Sequence, residues 1–141
     1  MRVSSEEKAR SRERIIAAAG RLFRSRGIEG TSVADVMREA GLTHGGFYRH
    51  FPDKNALVAA ALAAGFAEFA GPLLSGADSA QGFSARYLSP EHRDNPGLGC
   101  PVAALAAEVA RSDPSLRSAM TSGVESVLKG LAGGNDGATR E

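Results

Sequence analysis

The stretch GLTHGGFYRHFPDKNAL, residues 41–57, decides how this chain is read. It sets Gly45 and Gly46 directly before Phe47, Tyr48, Arg49 and His50. Glycine costs about 1 kcal/mol relative to alanine inside a helix, yet both flanks carry helix signals. Upstream, Val33, Val36, Met37 and Ala40 recur at helical spacing behind a cap at Thr31 or Ser32, and Gly41 ends the run. Thr43 is the expected N-cap of the next helix, from about His44 to His50, with Leu42 and Phe47 at hydrophobic-staple positions. Pro52 breaks that helix, and Asp53 caps another through Ala56, Leu57, Ala60, Ala61 and Ala64.

Working outward, nearly everything else reads as helix. Ser4 and Glu7 form a capping box ahead of a first helix with Ile15, Ala19, Leu22 and Phe23 on one face. Arg10, Arg14, Arg21 and Arg24 fall largely on other faces, and Gly27 is the expected left-handed stop. Gly71-Pro72 is expected to end or kink the helix that Asp53 begins. Phe83–Leu88 is a short helical stretch, and Ser89–Pro101, rich in Pro and Gly, reads as a loop or junction. Pro101 suits the first position of a helix with Val102, Leu105, Ala106 and Val109 inside. Ser112-Asp113-Pro114 starts a last helix carrying Leu116, Met120, Val124, Val127 and Leu128. The tail from Gly133 has no core residues and is expected to be loose. The fold class is therefore all-α.

Composition narrows the function. The chain has 141 residues, 43% of them hydrophobic, enough for a packed core. Residues 1–50 hold ten Lys/Arg against six Asp/Glu, while the remainder holds seven against ten. A basic front half points to an anionic partner. One cysteine excludes an internal disulfide, and the polar first residues are unlike a secretory signal. The apolar run Ala56–Ala70 reads as too short and too alanine-rich to cross a bilayer. These features give a cytoplasmic expectation with no membrane partner. Three His and one Cys are scattered without ligand spacing, so neither a metal nor a cofactor is expected. No nucleophile–base set or phosphate-cradling loop appears, so an enzyme is not expected.

Two short helices joined by a tight Gly-containing turn are a helix-turn-helix signature, whose second helix enters the DNA major groove. Glycines in its first turn then let backbone approach the bases. Tyr48 and His50 can donate to phosphates, Arg49 can reach a phosphate or a guanine edge, and Lys54 stands where a helix N-terminus already favours a phosphate.

The segment TSVADVMREAGLTHGGFYRHFPDKNAL closely resembles the DNA-binding region of TetR-family transcriptional regulators, and IIAAAGRLFRSRGIEGTS resembles the family's first helix. The resemblance covers roughly residues 10–62 and is carried by Thr43, Gly46, Tyr48, His50, Phe51 and Lys54. It implies that Thr43, Tyr48, His50 and Lys54 hold the DNA backbone. It sets His44, Gly45 and Arg49 at base-facing positions and turns Phe47 and Phe51 inward.

The resemblance also implies two units: a helix-turn-helix domain over residues 1–52 and a helical ligand-binding and dimerisation domain over 53–141. Family members continue into further helices, so the regulatory unit is expected to be shortened at its C-terminus. Phe66, Phe69, Phe83 and Tyr87 are candidate ligand contacts and equally candidates for plain core. YLSPEHRDNPGLGCPVAALAAEVAR looks like a segment of a cysteine-containing subgroup. Cys100 is thus a candidate sensor thiol, with His92 and Arg93 available to add positive potential, or else a buried small hydrophobe.

The expected function is a ligand- or thiol-responsive repressor that binds a near-palindromic double-stranded operator as a homodimer and answers to a small-molecule or electrophile effector. Two alternatives stand beside it: a shortened regulator binding DNA weakly as a monomer, and a helical small-ligand or thiol-reactive protein without DNA binding.

Overall fold

The computed structural model describes residues 3–133. Among them are seven α-helices, two short 3₁₀ segments and no strand. Helix α1 spans Ser5–Arg26, and Ser4 and Glu7 close the capping box reciprocally. Gly27 ends it at φ 85°, but ψ 162° takes the chain straight into extended backbone rather than a left-handed cap. Helix α2 spans Val33–Glu39 behind Ser32, which forms a second capping box with Asp35. Thr31, the other candidate cap, is buried instead, and its hydroxyl donates to the Gly27 carbonyl at 2.9 Å.

The segment His44–Arg49 is a 3₁₀ helix, not an α-helix. Only eight residues, 44–51, lie between the turn at Gly41–Thr43 and Pro52, and two are glycines, which weaken helix propagation. The tighter i→i−3 pattern, seen in Gly46 N–H to Thr43 O at 3.1 Å, is the outcome. Thr43 has the extended backbone of a cap, yet its side chain caps nothing.

Asp53 caps helix α3, Lys54–Leu74, by accepting from the Ala56 N–H. Contrary to expectation, α3 runs through Pro72. Pro72 is exposed and in the last turn, so the helical bond it removes costs little there. By length and mean hydropathy (1.8) α3 is apolar enough to cross a membrane, which corrects the reading of Ala56–Ala70 as too weak; half of its most apolar window is buried inside the fold. Leu57, Val58, Ala61, Leu62 and Phe66 face the core.

Helix α4 spans Ala80–Tyr87. The expected loop at 89–101 instead holds helix α5, Pro90–Asp94, and a 3₁₀ turn, Pro96–Leu98. Ser89 caps α5, so its prolines sit at starts, where a missing N–H is harmless. Helix α6 spans Pro101–Val109 and α7 spans Pro114–Gly133. The expected loose tail lies, but for Gly133, outside the described residues.

One buried cluster runs from Ile15, Phe23 and Met37 through Phe47 and Leu57 to Leu105, Leu116 and Met120. It joins residues on both sides of position 52. Helix α7 lies against α3 at Gly123, where a Cβ would drive into the Phe66 ring. Glycine is what permits that approach. A smaller cluster of Phe69, Ala70, Leu73, Phe83 and Cys100 closes the far end.

Candidate nucleic-acid interface and cavity

Phe47 anchors the His44–Arg49 segment. It is fully buried, stacks on Phe51 at 5.7 Å and meets Tyr48 edge-on at 5.2 Å. With that side chain pinned, the opposite side of the short helix is left to solvent. Thr43, His44, Gly45 and Arg49 are exposed, and Tyr48 is 68% exposed. Gly46 and His50 are half-buried.

The two glycines are informative because nothing in the chain demands them. Neither has positive φ. A Cβ on Gly45 would meet no atom within 4 Å, and one on Gly46 would make only ordinary contacts with Thr43 and Met37 at 3.6 and 3.8 Å.

Beside this segment lies a hollow of about 390 Å³ whose lining includes Lys8, Ser11, Thr43, Arg49 and His50. His50 Nδ1 is buried there with no hydrogen-bond partner. Burial, and then the positive charges of Lys8, Arg12 and Arg49, hold its imidazole below the usual histidine range. Lys54, the last of the sequence-derived DNA candidates, stands at the start of α3 and donates from Nζ to the Ile28 carbonyl at 2.7 Å. It is half-buried and stabilises the fold locally, with two of its three donors still unassigned.

The five candidate ligand contacts come together. Phe66, Phe69, Phe83, Tyr87 and Cys100 all line one cavity of about 390 Å³, completed by Val102, Val124 and Val127 among others. Phe69 meets Phe83 and Tyr87 edge-on at 5.7 and 6.0 Å. The Arg86 guanidinium covers the Phe69 and Phe83 faces at 5.2 and 5.3 Å. Burial pushes the Tyr87 phenol up, and the adjacent Cys100 side chain adds to the shift.

Cys100 is buried at the N-cap of α6 without capping it. Its backbone N–H donates to His92 Nε2 at 3.0 Å, so Nε2 is the acceptor nitrogen. The hydrogen then sits on Nδ1, which donates to the Tyr87 carbonyl at 2.7 Å. This corrects the expectation of added positive potential: both ring nitrogens are used, and Arg93 is paired with Asp94 at 2.7 Å. Nor is His92 a plain loop residue, since its ring packs on Phe69 and Tyr87. Among the described residues, no group of three His, Cys, Asp or Glu gathers where a metal could sit.

Sequence reasoning missed two polar ties. Arg24, expected on an outer face, is only 6% exposed; it donates to Gly20 O at 3.1 Å and to Gly99 O at 3.0 Å. Gly20 and Gly65, which leave room for its guanidinium, were the available signal. Glu108 accepts from the Ile28 and Glu29 N–H groups at 2.6 and 2.9 Å, and nothing local in the sequence marks it.

Residues 15–61 match the family model described as "Bacterial regulatory proteins, tetR family". The HTH-type transcriptional regulator TtgR of Pseudomonas putida is 44% identical over 62 residues, 44% of this chain and 30% of TtgR. The HTH-type transcriptional regulator LmrA of Bacillus subtilis is 32% identical over 117 residues, 77% of this chain and 62% of LmrA. The helix-turn-helix region of this chain is that of the TetR family of transcriptional regulators. Among solved TetR-like structures, the reduced form of E. coli NemR superposes with a TM-score of 0.72 at 26% identity, covering 91% of this chain and 70% of that one. The all-helical TetR architecture thus extends beyond the matched helix-turn-helix region. The chain spans between 30% and 62% of the length of the curated relatives TtgR and LmrA.

Proposed function

We propose that this chain is a ligand- or thiol-responsive repressor that grips operator DNA with the segment from Thr43 to Lys54. Tyr48, Thr43, His50 and Lys54 hold phosphates, while His44 and Arg49 reach base edges past the bare backbone of Gly45 and Gly46. The observation that carries this reading is Gly45 itself. It is exposed, helical in φ and free of neighbours, so its missing side chain serves something outside the chain. The basic hollow lined by Lys8, Arg49 and His50 supports phosphate docking on the same side. The domain over residues 1–52 is the reader and 53–141 the regulatory unit. The reader acts in the cytoplasm as one half of a homodimer, with recognition segments about 34–36 Å apart on a near-palindromic site.

Effector reception falls to the apolar cavity lined by Phe66, Phe69, Phe83, Tyr87 and Cys100, which is of a size to take a small molecule. Selection of bound duplexes from a random pool tests the proposal, because a two-fold symmetric winner reports sequence and dimer geometry together. On that duplex, Tyr48→Ala is expected to weaken specific and scrambled binding alike and to leave the salt slope nearly unchanged, since a neutral phenol displaces no counterion. Equal affinity of Tyr48→Ala and the parent protein would remove the docking model.

A further inference from the structure

Helix α6 is bolted to α1 at both of its ends. At its start, Arg24 Nη1 donates to the carbonyl of Gly99, one residue before the cavity-lining Cys100. At its end, about 11 Å further on at 1.5 Å per residue, Glu108 turns its carboxylate onto the link between α1 and α2. One oxygen accepts from Ile28 N–H and the other from Glu29 N–H. Gly27 makes this possible: its φ of 85° turns the two following N–H groups to the same side, and a Cβ there would stand 3.2 Å from Glu108 Oε1. The same Ile28 residue is held from its other pole, since its carbonyl accepts from Lys54 Nζ at 2.7 Å. Groups from α3 and α6 therefore meet on the residue that follows α1: its donor is taken by Glu108, and its acceptor is shared by Lys54 and, at 3.2 Å, the Thr31 N–H.

We infer that Glu108 is a positioning residue for Lys54, acting through Ile28, and that by this route the placement of α6 sets the direction of the Lys54 ammonium. The mechanism is hydrogen-bond geometry. Two charge-assisted bonds fix the plane of the 27–29 link. That fixes where the Ile28 carbonyl points, and the carbonyl holds one of the three ammonium donors, leaving the other two aimed outward. Without the carboxylate, two N–H groups lose their partner, the link rotates to recover water, and the ammonium is released to sample its rotamers. The DNA consequence of this coupling rests on the nucleic-acid reading proposed above; the coupling itself does not.

The test compares the parent protein with Glu108→Gln, Lys54→Ala and the double variant. Glutamine keeps the shape but offers a single acceptor to the two N–H groups. Without DNA, the expected result is amide exchange at Ile28 and Glu29 at least tenfold faster in Glu108→Gln, with loss of the slowly exchanging ¹⁵N signal of the Lys54 ammonium. Glu108→Asp, which retracts the charge by one methylene, is the second variant and must move both signals in the same direction. On a mixed-sequence 20-bp duplex, Glu108→Gln is expected to lower the salt slope by the same amount as Lys54→Ala, about 0.9 for one phosphate, with no further loss in the double variant. An unchanged Lys54 ammonium signal alongside faster Ile28 and Glu29 exchange overturns the inference, as do additive slope losses. A parent protein that binds no duplex overturns the nucleic-acid reading instead, and the ammonium signal then still decides the coupling.

Discussion

The two ends of this chain use aromatic rings in opposite ways. Near the N-terminus, Phe47 and Phe51 are stacked and buried as the anchor of a six-residue 3₁₀ segment, and neither ring lines the hollow beside it. At the far end, Phe69 meets Phe83 and Tyr87 edge-on around a hollow of about 390 Å³. The first arrangement fixes one geometry of backbone and surface. The second leaves room that the protein does not fill. Rings pinned under a docking strip are structural anchors, whereas rings around a void keep their apolar surface available to a guest.

The largest effect that tests this contrast is a pair of truncations. Phe47→Ala is expected to destabilise the fold by about 3–5 kcal/mol, the usual cost of emptying a packed phenylalanine site. Phe83→Ala, which extends a void already present, is expected to cost about half as much. Equal losses in chemical denaturation would break the comparison. Next, Gly123→Ala forces a methyl group against the Phe66 ring and is expected to cost about 1–3 kcal/mol by overpacking. A neutral result in thermal melts would mean that the α3–α7 crossing is loose at the cavity's edge.

Gly45→Ala separates stability from function. The chain has space for the methyl group, so the fold is expected to gain about 0.5–1 kcal/mol. Duplex affinity is expected to fall tenfold or more. A variant that gains stability and binds as well as the parent would show that close backbone approach is not what Gly45 provides.

The smallest effect concerns pH. Burial and three cations depress the His50 imidazole, so the unfolded chain takes up its proton at a higher pH than the folded one. Stability is therefore full above about pH 6.5 and declines as pH falls from there toward the folded value. His50→Gln is expected to flatten this part of the stability profile, and an unchanged profile would place the acid sensitivity elsewhere.

What the sequence made legible was local. The capping box at Ser4, a cap at Thr31 or Ser32, the Asp53 cap and the proline at the start of α6 each depend on residues within four positions of one another, although the Ser32–Asp35 box itself was not read. The burial of Phe47 and Phe51 was legible through the family resemblance, and Phe47 also through its hydrophobic-staple position. Phe66, Phe69, Phe83, Tyr87 and Cys100 were candidates only through the family resemblance, and their gathering around one cavity is a finding of the structure. Contacts between residues 70 or more positions apart were not legible. Arg24 to Gly99 and Ile28 to Glu108 depend on which helices cross, and no period or cap encodes that. His92 was misread for a different reason, since its ring partners lie only five and eight positions away. Its two ring bonds exist only because the Pro-rich stretch coils into α5 and brings the ring over Cys100. The expected α-helix at His44–His50 became a 3₁₀ turn because Gly-Gly weakens propagation more than the flanking signals strengthen it.

The continuous packing from Ile15 to Met120 carries a practical consequence for anyone wishing to fuse this reader to another sensor. Splicing at residue 52 would cut through shared interior, since Leu57, Val58 and Leu62 of α3 belong to the same buried cluster as Ile15 and Phe23 of α1. A workable graft has to bring along the first three turns of α3 together with the partner surface of α1, so the transferable unit is wider than its recognition motif.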